Sequence, residues 1–224
     1  MRRALAEALG TALLLAAVVG SGIMGERLAQ GNDAIALLAN SLATGFALAA
    51  LIIAFSERSG AHFNPLVTLA LACRGGFPRR QIAPYVLAQF IGALLGVAAA
   101  HLMFDLPVLQ YSLKARSTFG LWWSEVVATF GLVLVVLSCD AKRPWGAPLA
   151  VSSYIAAAYW FTASTSFANP AVTLARGFTN TFAGIELNHV LPFIAAQAVG
   201  AGLAVLADRH LKKTGCAERT TPGG

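Results

Sequence analysis

The chain has 224 residues, 57% of them apolar and only 12% charged, with 16 Lys and Arg against 10 Asp and Glu for a net charge of +6. A soluble domain carries about a quarter of its residues as charges, so this composition excludes an ordinary soluble enzyme and points to the bilayer.

Arg2 and Arg3 precede the first apolar stretch, residues 4–23, which has the look of a leader peptide. Glu7 interrupts it and no small-residue cleavage site follows, so it reads as a first membrane span. Further apolar stretches run over 34–55, 82–104, 120–138, 147–163 and 188–207. Each is near the ~20 residues a helix needs to cross hydrocarbon. Six spans predict one all-α membrane domain over 1–208 and leave 209–224 as a disordered cytoplasmic tail. Trp122 and Trp123 open the fourth span as interfacial anchors.

The positive charge reports orientation before it suggests nucleic acid, which is not expected as a partner. With the amino terminus inside, Arg2, Arg3, Arg58, Arg74, Arg79, Arg80, Lys142, Arg143, Arg209, Lys212, Lys213 and Arg219 fall on the cytoplasmic side. Arg27, Lys114, Arg116 and Arg176 fall on the other, which predicts both termini in the cytoplasm of a plasma (inner) membrane of bacterial type. Cys73, Cys139 and Cys216 lie on or near the reducing side, odd in number, so no disulfide is expected. Nor do they group with His or Asp at ligand spacing, so neither a metal nor a cofactor is expected.

The chain repeats itself across its middle, over about 1–104 and 119–208. Glu7 and Thr11 recur as Glu125 and Thr129, and Asn64-Pro65-Leu66-Val67-Thr68-Leu69-Ala70 recurs as Asn169-Pro170-Ala171-Val172-Thr173-Leu174-Ala175. Pro84, Gln89 and Gly92 recur as Pro192, Gln197 and Gly200. Three spans per half is an odd number, so the second half enters the membrane from the opposite side and the repeat is inverted.

Each Asn-Pro pair heads an apolar run too short to cross and too apolar for water, which predicts a re-entrant half-helix. Asn suits the N-cap and Pro the first helical position. Inversion brings the two N-termini together near the bilayer midplane, each with about half a positive charge. Such a place repels cations, while the Asn amides offer donors to a neutral solute.

On Ser59-Gly60-Ala61-His62-Phe63-Asn64-Pro65, Asn169-Pro170-Ala171 and the two Glu positions, the chain resembles the aquaporins, the major intrinsic protein family, over residues 4–207. The resemblance implies six tilted helices, two half-helices, a homotetramer in the lipid bilayer and one pore per subunit. It implies that Glu7 and Glu125 accept hydrogen bonds from the backbone before the half-helices, against a rival reading as proton-coupling groups. His62 reads as pore-lining rather than a gate or metal ligand. Leu66 stands where the family has Ala, which is expected to alter packing where the half-helices touch.

Most relatives follow the second Asn-Pro-Ala with Arg; here the residue is Val172. Counted along the family pattern, the other filter positions fall on Thr44, Ala157 and Ser166. Small uncharged side chains there predict a wider mouth, passing water together with glycerol-like solutes. Arg176, one turn beyond Val172, either partly replaces the missing charge or serves the C-terminal dipole of its half-helix. Gly20-Ser21-Gly22-Ile23-Met24 and Thr179-Asn180-Thr181-Phe182-Ala183-Gly184-Ile185 add a similarity to bacterial aquaglyceroporin-like channels linked to arsenic resistance. That similarity implies arsenous acid and methylated arsenicals as cargo. A strictly water-selective channel and a proton-coupled transporter are the rival readings, and no hydrolase motif supports an enzyme.

Overall fold

The structure is a computed structural model and describes residues 1–139 and 145–217, the side chains of the last five excepted. Lys142, Arg143 and Arg219, and the side chains of Lys213 and Cys216, lie outside the described residues. Eight α-helices are described, with no strand among these residues: α1 (Arg2–Leu28), α2 (Asp33–Ser59), α3 (Pro65–Cys73), α4 (Ile82–Met103), α5 (Phe119–Ser138), α6 (Gly146–Phe161), α7 (Pro170–Arg176) and α8 (Val190–Ala217). Five stretches containing α1, α2, α4, α5 and α8 are long and apolar enough to cross a membrane. The helix α6 has 16 residues, and 140–144 just before it lie outside the described residues. At the other end α8 passes the boundary at 208 where the sequence put a disordered tail: the helix continues to Ala217. Lys212 and Asp208, one turn apart at 3.3 Å, pair along that extension.

Local chemistry sets the ends of these helices. Asn32 Oδ1 accepts from the backbone N–H of Ala34 and Ile35 at 3.1 and 3.2 Å, and Asp33 occupies the first turn, so α2 starts there. Gly60, at φ 90°, takes the left-handed conformation that stops it. Both half-helices begin as their Asn-Pro pairs predict, with the Asn as N-cap and the Pro at the first position.

The packing repeats with the sequence. Helix α1 packs on α4 and α2, as α5 packs on α8 and α6; α3 packs on α4 and on α8 of the other half, as α7 packs on α8 and on α4. The pairs α2·α6 and α3·α7 join equivalent elements across the centre, as an inverted repeat requires. The repeated glycines explain the closest of these contacts. A Cβ on Gly92 would lie 2.2 Å from the carbonyl oxygen of Ala8, and one on Gly200 would lie 2.3 Å from that of Val126. Any side chain there would push apart the helix pairs that carry the buried glutamates.

Candidate functional site: a lumen with a midplane constriction

The segments entering the half-helices are strained in the same way. Ala61 and Phe63 have φ of 51° and 49°, and Ser166 and Ala168, the residues at the same distances before Asn169, have 49° and 47°. Left-handed backbone is costly for residues with a Cβ and breaks regular hydrogen bonding, so it persists only where partners fix it. Buried carboxylates provide them. Glu7 accepts from the N–H of His62 at 3.0 Å and of Phe63 at 2.7 Å, and from Ser59 Oγ at 2.6 Å. Glu125 accepts from the N–H of Phe167 and Ala168, both at 2.9 Å. Both carboxylates are fully buried.

A glutamine completes each arrangement. Gln89 Nε2 donates to Glu7 at 2.8 Å and to Thr68 Oγ1 at 3.0 Å; Gln197 Nε2 donates to Glu125 at 2.6 Å and to Thr173 Oγ1 at 2.8 Å. The two threonines pass the chain on, donating to the carbonyls of Asn64 at 3.1 Å and Asn169 at 2.8 Å. Both Gln and both Thr stood in the repeat as aligned positions without a role. Their chemistry was readable: an amide and a hydroxyl repeated in apolar spans need partners.

At the centre the two asparagines cap their own helices and bind each other's segment. Asn64 Oδ1 accepts from Leu66 N–H at 2.9 Å, and Asn169 Oδ1 from the N–H of Ala171 and Val172 at 3.0 and 3.3 Å. Each Nδ2 spends one hydrogen across the centre, Asn64 on the carbonyl of Ala168 and Asn169 on that of Phe63. The second hydrogen of each amide is left for whatever occupies the lumen, which both asparagines line. Pro65, Pro170 and Ala171 are buried behind them. Leu66 packs with Ala70, Val133, Leu137, Ala201 and Ala204, so α5 and α8 absorb its bulk.

The lumen holds about 130 Å³ and runs past the asparagines between mostly apolar walls. His62 lines it on the α3 side, with Nδ1 hydrogen-bonded to Thr68 Oγ1 at 3.0 Å and its ring held between Phe77 and Tyr85 at centroid distances of 4.9 and 5.3 Å. Those contacts fix the ring. Thr44, Ser166 and Val172 also line the lumen.

Ala157 does not line it. It is exposed on the outward side of α6, whose lumen-facing stripe is Ala147, Val151, Ile155 and Tyr159. The count back from Asn169 assumed a fixed length for the irregular segment 162–168, and helical phase places Tyr159 inward instead. Its hydroxyl donates to Thr44 Oγ1 at 3.3 Å. Ser166 Oγ is buried and has no protein partner. Three hydroxyls and the Val172 side chain therefore share this stretch of lumen.

Loop 105–118 folds over the same end and is tied to the segment after α7. Ser112 N–H donates to the Gly177 carbonyl at 3.0 Å, Leu113 N–H to Asn180 Oδ1 at 3.1 Å, and Glu186 N–H to the Lys114 carbonyl at 2.9 Å. Arg116 reaches inward, donating from Nε to Gly184 at 3.0 Å and from Nη1 to Ser164 at 3.2 Å. Burial lowers its pKa to about 10, which leaves it charged at neutral pH. Arg176 is fully enclosed and donates to the Ala183 carbonyl, with its guanidinium 3.4 Å from the centre of the Phe167 ring. Of the two tryptophans, Trp123 faces outward as an anchor would, whereas Trp122 packs inward beside Phe167 and Phe193. Among the described residues no group of His, Cys, Asp and Glu could hold a metal ion.

A narrow lumen through a helical membrane domain, with apolar walls, amide and hydroxyl donors and two helix N-termini at its centre, defines a channel for small neutral solutes. The chain belongs to the major intrinsic protein family, whose model matches residues 1–166. It is 53% identical over 210 residues to aquaglyceroporin AqpS of Rhizobium meliloti, covering 94% of this chain and 90% of that one. It is 32% identical over 238 residues to aquaporin AqpM of Methanothermobacter marburgensis, covering 94% and 97%. The fold matches the crystal structure of the aquaglyceroporin from Plasmodium falciparum with a TM-score of 0.76 at 22% identity, over 92% of this chain and 93% of that one.

Proposed function

We propose that the protein is a wide-filter member of its family, passing glycerol-like polyols, neutral metalloid acids such as arsenous acid, methylated arsenicals and water down their gradients. The observation that carries this reading is Val172. At the position after Asn-Pro-Ala stands a side chain without charge or donors, beside the hydroxyls of Thr44, Tyr159 and Ser166. Hydroxyls and hydrocarbon together in one stretch of wall suit a solute with hydroxyl groups and an apolar or weakly hydrated face. The aquaglyceroporin name of the relative at 53% identity supports the same solute class.

The working form in this reading is a homotetramer in a bacterial plasma membrane, each subunit a single channel domain with both termini in the cytoplasm. Glu7 and Glu125 act as anchors: their oxygens are engaged by backbone N–H groups and glutamine amides, which supports structure over proton coupling. Reconstituted vesicles test the proposal through the flux of water, glycerol, arsenous acid and methylarsonate in one preparation. Flux linear in each gradient and indifferent to a pH gradient is expected for the neutral solutes. Water flux without glycerol or arsenous acid flux would reject the wide filter, and saturable, gradient-coupled uptake would reject the channel.

A further inference from the structure

Beyond the lumen, the charged groups enclosed by the protein are unevenly balanced. Glu7 is satisfied by backbone and side-chain donors within its own half, but at the other end two cations converge on one ring. The guanidinium carbon of Arg176 lies 3.4 Å from the centre of the Phe167 ring and that of Arg116 5.0 Å from it. Neither arginine has a carboxylate partner among the described residues; both donate to backbone carbonyls, Arg116 to Gly184 and Ser164, Arg176 to Ala183. Glu125 is the acid that acts on both electrostatically, and its oxygens are already taken by Phe167 N–H, Ala168 N–H and Gln197. Lys114 also feels both arginines, while Glu26 and Asp33 act on Lys114 rather than on the cations at the ring.

The ring between them and the solute path is itself lumen wall. Phe167 lines the cavity with Ser166 and Val172, while Arg116 and Arg176 do not. A guanidinium cannot discharge in a protein, and behind an apolar ring its field is little screened. Its bulk, however, takes no room from the lumen.

We propose that Arg116 and Arg176, stacked on Phe167, form a cation barrier set behind the pore wall, supplying at the Val172 end of the lumen the positive charge that Val172 lacks. The proposal rests on the channel reading above. Charge and width are then separate properties of this protein. A side chain in the lumen would add both together; a cation behind the ring repels potassium and hydronium and leaves a bulky neutral solute its full cross-section. Loop tethering alone would also explain the carbonyl contacts, but it does not call for two cations stacked on one ring with no ion-paired carboxylate among the described residues.

Ion leak in vesicles separates the two. Wild type, Arg116→Gln/Arg176→Gln and Arg116→Lys/Arg176→Lys are reconstituted, and proton and potassium conductance are read beside water and glycerol flux. In the Gln pair, cation leak is expected to rise roughly tenfold or more while water flux stays within about twofold of wild type. The Lys pair, which keeps charge and loses the planar stack, is expected to stay tight. A Gln pair that conducts water and remains as tight as wild type overturns the proposal, as does a Lys pair that leaks as much as the Gln pair. Should the double Gln variant fail to assemble, Arg116→Gln alone, in the loop outside the spans, is read by the same two criteria, with a smaller rise expected. Wild-type vesicles that pass neither water nor glycerol would instead refute the channel reading, a distinct result from the same traces.

Discussion

Asn64 and Asn169 hold each other's approach segments: the amide of Asn64 donates to the carbonyl of Ala168 at 2.7 Å and that of Asn169 to the carbonyl of Phe63 at 2.8 Å. The reciprocal pair joins the two halves where the half-helix N-termini meet. It also sets each remaining amide hydrogen beside the lumen, so changes to these residues act on solute passage and on closure of the fold together.

Asn169→Asp exchanges the amide for a carboxylate, which cannot donate to Phe63 and neutralises the positive ends of two helices. Neutral-solute flux is expected to fall by roughly tenfold, about 1.4 kcal/mol, the size of one lost hydrogen bond with its desolvation. Stopped-flow water and glycerol measurements on inserted protein check it. Flux equal to wild type would mean that the amide does not face the solute.

Glu125→Ala strands the N–H groups of Phe167 and Ala168 and the amide of Gln197 in the membrane interior. Each unsatisfied donor costs roughly 1–3 kcal/mol, so the expected loss is in yield and thermal stability in detergent. Glu7→Ala should behave alike through His62, Phe63 and Gln89. Normal stability with transport altered only under a proton gradient would favour a coupling role instead.

Val172→Arg adds a long side chain with five N–H donors where the lumen now has a short hydrocarbon. Glycerol and arsenous acid flux should drop by roughly tenfold or more and water flux by much less, because the obstruction scales with solute size. Equal losses for all three solutes would indicate a plugged channel. Unchanged glycerol flux in intact protein would remove Val172 from the constriction.

Tyr159 and Ala157 offer a paired test of which residue α6 turns inward. Tyr159→Ala removes a ring from the lumen wall and the donor to Thr44, and should raise the ratio of glycerol to water flux. Ala157→Leu, on the outward side, should leave both fluxes within about twofold of wild type, as surface substitutions usually do. The opposite pattern would restore Ala157 as the filter residue.

Much of this site could be read from residue spacing. Asn-Pro twice at matching places in an inverted repeat was enough to predict two half-helices, because caps follow local rules, whereas the acceptor role of the two Glu came from the family resemblance. What was misread depends on helical phase across irregular backbone. Thr165, Ser166 and Ala168 all carry positive φ, and a segment that bends this way does not transmit a residue count from Asn169 to α6. The stacking of Arg116 and Arg176 on Phe167 was unreadable for another reason: it joins a loop, a half-helix and the segment before it, and only tertiary packing brings the three together.

During synthesis the halves of the central clamp appear far apart in time. Phe63 finds its acceptor Glu7 within 56 residues of chain, whereas the Asn64 amide bonds to Ala168, 104 residues later. At roughly 5–20 residues per second, that gap lasts about 5–20 s. A nascent subunit therefore sits in the membrane with its first half-helix anchored by its own carboxylate and its midplane seam open. The seam seals only when the second re-entrant segment dips in from the opposite face, so closure of the pore waits for the second half of the chain.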